Sequence, residues 1–267
     1  MANLTPEGHL VVAIPYDAEG FNEVWRNYTG AAGYFVANNI YSRLVVLDVF
    51  KTGEIAPDLA DSWDILNGGQ TYVFHLNRDA RWHDGVPVTA HDVAYTYSEV
   101  LKHGYHGLSW LQDIDQIRAI DDHTVECRLK GPNAAFLAQL GSFVFSHIVA
   151  RHLYEGTDWA TNPYNLNPVG CGPFQFEEWV KGERIELVAN PDYFREGPYV
   201  ERITYRIMPD RDQAFAALER GEVHFCVQDV PCNQVEEFRA KPGVDVMFHP
   251  GNSIAFVAFN WQRPLFQ

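Results

Sequence analysis

The sequence has no run of eighteen apolar residues, so no part of it reads as a membrane span. Its opening, MANLTPEGHL, carries neither a basic patch nor an apolar stretch, and no secretory signal is read there. A chain that begins after a removed signal would look the same. Basic residues are scarce: 20 Lys and Arg stand against 35 Asp and Glu, a formal charge of −15. No basic stripe is available to neutralise phosphates, which argues against a nucleic-acid partner. The four cysteines, Cys127, Cys171, Cys226 and Cys232, form no CxxC pair, so metal-ligand spacing is not supported. Cys226 and Cys232 are close enough in sequence to bridge, and only geometry decides that. His103 and His106 could share a helix face, but no carboxylate or cysteine joins them at ligand spacing.

Catalytic signatures are also missing. There is no GxSxG and no GxxxxGK[ST]. Gly170-Cys171-Gly172 is too short for a dinucleotide loop and runs into Pro173 and a strand, whereas phosphate cradles open a helix. Cys171 has no evident base or helix N-terminus to activate it. Glu177-Glu178 and Glu236-Glu237 are adjacent, so neither pair shares one face of a regular element. The chain is read as a protein without catalysis and without a cofactor.

What is present is strongly patterned. His9–Ile14 reads as a first strand, followed by a loop from Tyr16 to Gly33. Phe35–Leu47 reads as a helix, with Val36, Ile40, Leu44 and Leu47 at helical spacing. Trp63 and Ile65, the turn Asn67-Gly68-Gly69, and Tyr72, Phe74 and Leu76 spell a hairpin. Thr89 caps the next helix with Asp92 three residues on. Val93, Tyr97, Val100 and Leu101 form its inward stripe, and Gly104 ends it. A second hairpin turns at Asp121-Asp122, and the alternation of Val125, Cys127 and Leu129 makes Cys127 a core residue. Beyond Asn167 come a third hairpin around Lys181-Gly182-Glu183 and a strand Ile203–Met208. A helix Arg211–Arg220 capped by Asp210 follows, then a strand Val223–Val227. A helix Cys232–Lys241 and strands Val244–Phe248 and Ser253–Asn260 complete the pattern. Strand–helix–strand order argues for a mixed α/β layer, with an α+β unit before it.

The stretch from Glu54 to Tyr97 is the most specific. It holds Pro57-Asp58-Leu59-Ala60-Asp61-Ser62-Trp63, then Arg81-Trp82-His83-Asp84-Gly85, then Pro87-Val88-Thr89-Ala90-His91-Asp92-Val93. In these motifs the chain resembles the bacterial extracellular solute-binding proteins of family 5, the peptide/nickel/opine group of ABC-importer binding proteins. Asn167–Trp179 resembles that family's NPVGTGP segment, with Cys171 where the family has threonine. Asn190–Phe194 and the closing Phe259–Phe266 also resemble family segments. Physically, most of these residues are structural: Trp82 fills a core, Asp84-Gly85 turns, Thr89 caps.

The resemblance implies an α/β fold, periplasmic-binding-protein-like (type II, cluster C). Lobe I would comprise 1–35 plus 166–260, an inserted α+β subdomain 36–165, and a hinge segment 261–267. The second lobe is expected to be absent. It also implies a non-enzymatic binder of a peptide-like or other small solute, working with ABC-transporter permease subunits in the periplasm or another extracytoplasmic space. A dimer through the surface that loss of a lobe would expose is a further expectation. The alternatives are a nickel-, haem- or oligosaccharide-binding relative, or a clamp-type sensor domain. The family's ligand-lining segments correspond here to Thr29, Gly30, Ala31, Trp110, Gln228, Asp229, Phe256 and Asn260. The resemblance also makes Asn167–Trp179 the joint where the chain re-enters the lobe I sheet.

Overall fold

The computed structural model describes residues 6–26, 31–48, 54–141 and 146–247. The chain divides into two compact units, residues 1–228 and 229–267. The first begins with β1 (His9–Ile14) and α1 (Ala31–Ile40). The paired strands β2 (Val45–Asp48) and β3 (Glu54–Pro57) follow. Next come β4 (Ala60–Leu66), β5 (Thr71–Leu76), α2 (Ala90–His103) and α3 (Leu108–Leu111). Then β6 (Ile114–Asp121), β7 (Thr124–Leu129), α4 (Phe136–Gly141) and α5 (Arg151–Tyr154). The unit closes with β8 (Phe174–Val180), β9 (Arg184–Ala189), β10 (Arg202–Ile207), α6 (Arg211–Glu219) and β11 (Phe225–Cys226).

Two larger sheets organise it. One is four-stranded and antiparallel, in the order β4-β5-β7-β6. Its first hairpin turns at Asn67, Gly68 and Gly69, all at positive φ, as the Asn-Gly-Gly triplet requires. Tyr72, Phe74 and Leu76 of β5 and Val125, Cys127 and Leu129 of β7 face one core, where Val93, Tyr97 and Val100 of α2 meet them with the fully buried Trp82. Each such buried large side chain contributes roughly 1.5–3 kcal/mol.

Helix α2 ends as its sequence predicts. The Asp92 carboxylate accepts from the Thr89 N–H at 2.8 Å and the Thr89 hydroxyl at 3.0 Å, and its other oxygen accepts from the Arg151 N–H at 2.9 Å. Gly104 closes the helix at φ 67°. Thr89→Ala removes one of these bonds, and chemical denaturation should show a loss of about 1 kcal/mol. An unchanged midpoint would show that the hydroxyl adds nothing.

The other sheet has five strands, in the order β11-β1-β10-β9-β8. β1 runs parallel to β10 and β11, while β8, β9 and β10 are antiparallel. α1 covers one face through Val36, Ala37 and Ile40, packed with Val12, Ile14, Leu187, Ile203 and Tyr205. α6 covers the other through Ala214 and Ala217, packed with Ala13 and Val223.

Several elements differ from their sequence-based bounds. The helix expected over Phe35–Leu47 is α1, ending at Ile40, and Val45–Asp48 is a strand. Val36 and Ile40 belong to the core of the five-stranded sheet, whereas Leu44 and Val45 belong to the other core. Two cores in succession had mimicked one helical stripe. The strand expected over Val223–Val227 contracts to Phe225–Cys226, because Val223 turns in under α6. In the second unit the helix expected over Cys232–Lys241 is α7 (Val235–Arg239), where Lys241 Nζ lies 4.2 Å from the Phe238 ring centre. Residues 244–247 form no strand. The strand expected over Ser253–Asn260 lies outside the described residues.

Asn167–Trp179 leads into β8, and its glycines serve close approach. The Gly172 N–H donates to the last carbonyl of α1, that of Ile40, at 2.8 Å. A Cβ on Gly170 would overlap that carbonyl oxygen and stand 2.6 Å from its carbon. His83 clasps the same segment from the other side. Its backbone N–H donates to Gly170 O at 2.7 Å, its Nδ1 accepts from the Gly170 N–H at 3.2 Å, and its Nε2 meets Gly172 O at 3.1 Å. That set requires a neutral ring protonated on Nε2. Between them Cys171 is fully buried, and burial pushes its thiol up to about 12. Such a thiol is no nucleophile. All four cysteines are free.

Candidate functional site

The connections from β1 and β10 leave toward opposite faces of the five-stranded sheet, one to α1 and the other to α6. In open α/β sheets a ligand crevice forms outside the carboxyl ends of such neighbouring strands. Here those ends are Ile14 on β1, Ile207 on β10 and Cys226 on β11. They are held level: the Met208 N–H donates to Ile14 O at 2.8 Å, and the Val227 N–H to Ala13 O at 3.1 Å.

Gln228 completes this edge. Its Nε2 donates to Met208 O at 2.8 Å, reaching from the end of β11 past β1 to the end of β10. The bond fixes the orientation of the amide, since the reverse would face two oxygens together. Its Oε1 is buried and has no hydrogen-bond partner among the described residues. A buried unpaired acceptor costs about 1–3 kcal/mol, and this one is enclosed by the protein's own atoms.

Asp17, just beyond β1, is committed to the scaffold. Its carboxylate accepts from Trp179 Nε1 at 2.8 Å, from the Ala18 N–H at 2.8 Å and from the Gly182 N–H at 2.7 Å. Asp210 is committed too, capping α6 through the Gln213 N–H at 2.9 Å. Neither carboxylate is arranged as an acid–base pair. Among the described residues no group of His, Cys, Asp or Glu could hold a metal ion, and no helix is long and apolar enough to cross a membrane.

Of the residues expected at the site, Gln228 stands at the strand ends. Ala31 is the first residue of α1, at the close of the connection from β1. Trp110 lies on α3. The turn before α3 is fastened to the β1–α1 connection, with the Gly107 N–H donating to Val24 O at 3.0 Å. Asp229 is exposed and begins the second unit. Thr29, Gly30, Phe256 and Asn260 lie outside the described residues. Sequence reasoning passed over Tyr16 and Met208. The signal available for Tyr16 was its place directly after an apolar strand and a proline.

A family model described as bacterial extracellular solute-binding proteins, family 5 (middle), matches residues 54–267. The chain belongs to this family. Members of family 5 are binding proteins, and the mixed α/β architecture is the one that its solved structures share with this chain. The dipeptide-binding protein of Escherichia coli (strain K12) is 27% identical over 276 residues, covering 95% of this chain and 51% of its own length. The oligopeptide-binding protein AppA of Bacillus subtilis (strain 168) is 29% identical over 266 residues, covering 97% of this chain and 48% of its own. AppA's solved structure, in complex with a nonapeptide, superposes with a TM-score of 0.78 over 89% of this chain and 47% of that one. NikZ from Campylobacter jejuni, in complex with Ni(L-His), gives a TM-score of 0.77 at 27% identity over 89% of this chain and 46% of that one. This chain therefore spans about half the length of the family 5 relatives it matches.

Proposed function

We propose that this chain is the ligand-capturing N-terminal lobe of a family 5 substrate-binding protein that delivers a peptide-like solute to an ABC importer. The observation that carries this reading is the row of strand ends Ile14, Ile207 and Cys226, held level below helices on opposite faces of the sheet. An extended peptide is a ligand that a crevice at such strand ends can hold. The peptide names of the relatives support the ligand class, and AppA's nonapeptide complex supports the extended form. The protein performs no chemistry in this reading. Its partners are the permease subunits of the importer, and its place is periplasmic or extracytoplasmic. The proposed lobe is built from 1–35 and 166–260, with 36–165 inserted. α1 straddles the first border, its Val36, Ala37 and Ile40 packing on the lobe's sheet.

The Ni(L-His) complex of NikZ favours a second reading, capture of a metal–amino acid chelate. A thermal-shift screen separates the two. Di- to pentapeptides should raise the melting temperature, and a peptide at a hundredfold excess over its Kd adds about 2.7 kcal/mol. A shift with nickel plus L-histidine and none with peptides would support the second reading. No shift with either would count against both.

A further inference from the structure

The rung that opens β11 is made by a side chain. The His224 N–H donates to Val11 O at 2.8 Å, and His224 Nδ1 accepts from the Val11 N–H at 2.9 Å. One residue therefore meets both polar groups that Val11 of β1 turns toward β11. The chain just before it has left the sheet, with Val223 turned in under α6. The ring stands in for the backbone carbonyl that a longer strand would bring to this rung.

An acceptor at Nδ1 requires an uncharged imidazole with its proton on Nε2. An imidazolium carries N–H groups on both nitrogens. It would set one donor against another at Val11 and leave a strand N–H unsatisfied. Solvent reaches this edge, since His224 is exposed and Phe225 beside it is 45% exposed. The rest of the strand is lightly held. It pairs with β1 at Val12–Phe225 and Ala13–Cys226, the Val227 N–H donates to Ala13 O at 3.1 Å, and the Cys226 thiol meets Ala214 O at 3.4 Å.

The charged groups around the ring are engaged with other partners. From β10, Arg206 reaches to the Glu222 carbonyl at 3.5 Å. At the end of α6, Arg220 is paired with the Glu222 carboxylate and feels the charge of Glu219. From β1, His9 Nε2 meets the Thr204 hydroxyl at 2.8 Å. Among the described residues no carboxylate pairs with the His224 ring to favour a proton on it.

We propose that His224 is an acid-released latch: uncharged, it pins β11 to β1, and protonated, it lets the strand go. The open strand takes up the proton and the closed one excludes it. Pairing is therefore complete at about pH 8 and fails as pH falls through the imidazole range toward about 5. β11 leads into Gln228, whose bond to Met208 O completes the edge of the sheet. The latch thus governs whether that edge is closed, whatever solute the protein takes.

Hydrogen exchange of the 267-residue chain, read by mass spectrometry and corrected for the intrinsic pH dependence of exchange, tests this. Between about pH 8 and about pH 5 the wild-type amides of 223–227 and of Val11 should lose protection by about tenfold or more. His224→Asn keeps an acceptor near the Nδ1 position that takes up no proton, and it should abolish most of this loss. His224→Ala offers no acceptor and should be poorly protected here at both pH values. Far-UV circular dichroism verifies that each variant is folded, which an exposed side chain permits. Wild-type protection that does not change with pH would overturn the proposal. So would an equal loss in the wild type and His224→Asn, which would belong to the molecule as a whole, His83 included. A His224→Ala variant as well protected as the wild type at about pH 8 would show that the ring holds nothing, and would overturn it too.

Discussion

Gly170→Ala is expected to abolish stable folding of the first unit, with a loss of at least about 3 kcal/mol. The new methyl group would overlap the Ile40 carbonyl oxygen and lie 2.6 Å from the carbonyl carbon and 2.9 Å from Ile40 Cγ2. None of these is the far end of a flexible side chain. Relief requires α1 to withdraw from the segment, and with it the Gly172 N–H bond to Ile40 O. The same move would disturb His83, which holds Gly170 through one backbone and one ring contact and Gly172 through another ring contact. Gly172→Ala has a similar but smaller conflict, its nearest atom being Ile40 O at 2.7 Å. Urea denaturation followed by tryptophan fluorescence should find the Gly170 variant unfolded or deeply destabilised and the Gly172 variant between it and the wild type. A Gly170→Ala midpoint equal to the wild type's would mean that the close approach is not what this glycine is for.

Acidification should cost the protein about 3 kcal/mol of stability through His83 alone. Burial lowers this imidazole from its ordinary 6.5 to about 4, against smaller opposing effects of the Gly172 carbonyl and Asp84. The geometry agrees, since the Gly170 N–H needs an acceptor on Nδ1 that an imidazolium lacks. The unfolded chain binds this proton more readily than the folded one. The stabilisation from a neutral His83 is therefore complete above about pH 6.5 and is lost as pH falls toward 4. Each pH unit in that window removes at most about 1.4 kcal/mol. Carboxylates elsewhere add their own acid dependence, so the informative quantity is the difference between the wild type and His83→Gln. The variant should be less stable at pH 7, and the gap should close as pH falls from 6.5 to 4.5. A gap that stays constant across this range would refute the assignment.

Gly170 and His83 lie at one seam of the fold. The motif Arg81–Gly85 and the segment Asn167–Trp179 are far apart in sequence, yet His83 and Gly170 meet in the fold. At this seam residues from α1, the His83 turn and the entry to β8 come together. The position of Cys171 follows from it. Fully buried between two glycines that admit no side chain, it needs only to be small.

The sequence alone determined whatever depends on neighbours along the chain. The three hairpins follow from period-two alternation broken by Asn67-Gly68-Gly69, by Asp121-Asp122 and by Lys181-Gly182-Glu183. Helix α2 follows from its cap, its stripe and Gly104. The family was legible because its long motifs are themselves turns, caps and core plugs. The tertiary structure decided what depends on partners distant in sequence. It ended α1 at Ile40, because the helix's apolar stripe passes without interruption from one core into another and only packing tells the two apart. It turned the glycines around Cys171 from chain-bending residues into contact surfaces for α1. It also joined the ends of β1, β10 and β11 into one edge, where Gln228 is tied to Met208 and Tyr16 stands open. Parallel pairing of strands separated by some two hundred residues leaves no local mark, because the energy that selects it comes from surfaces buried only when the sheet closes.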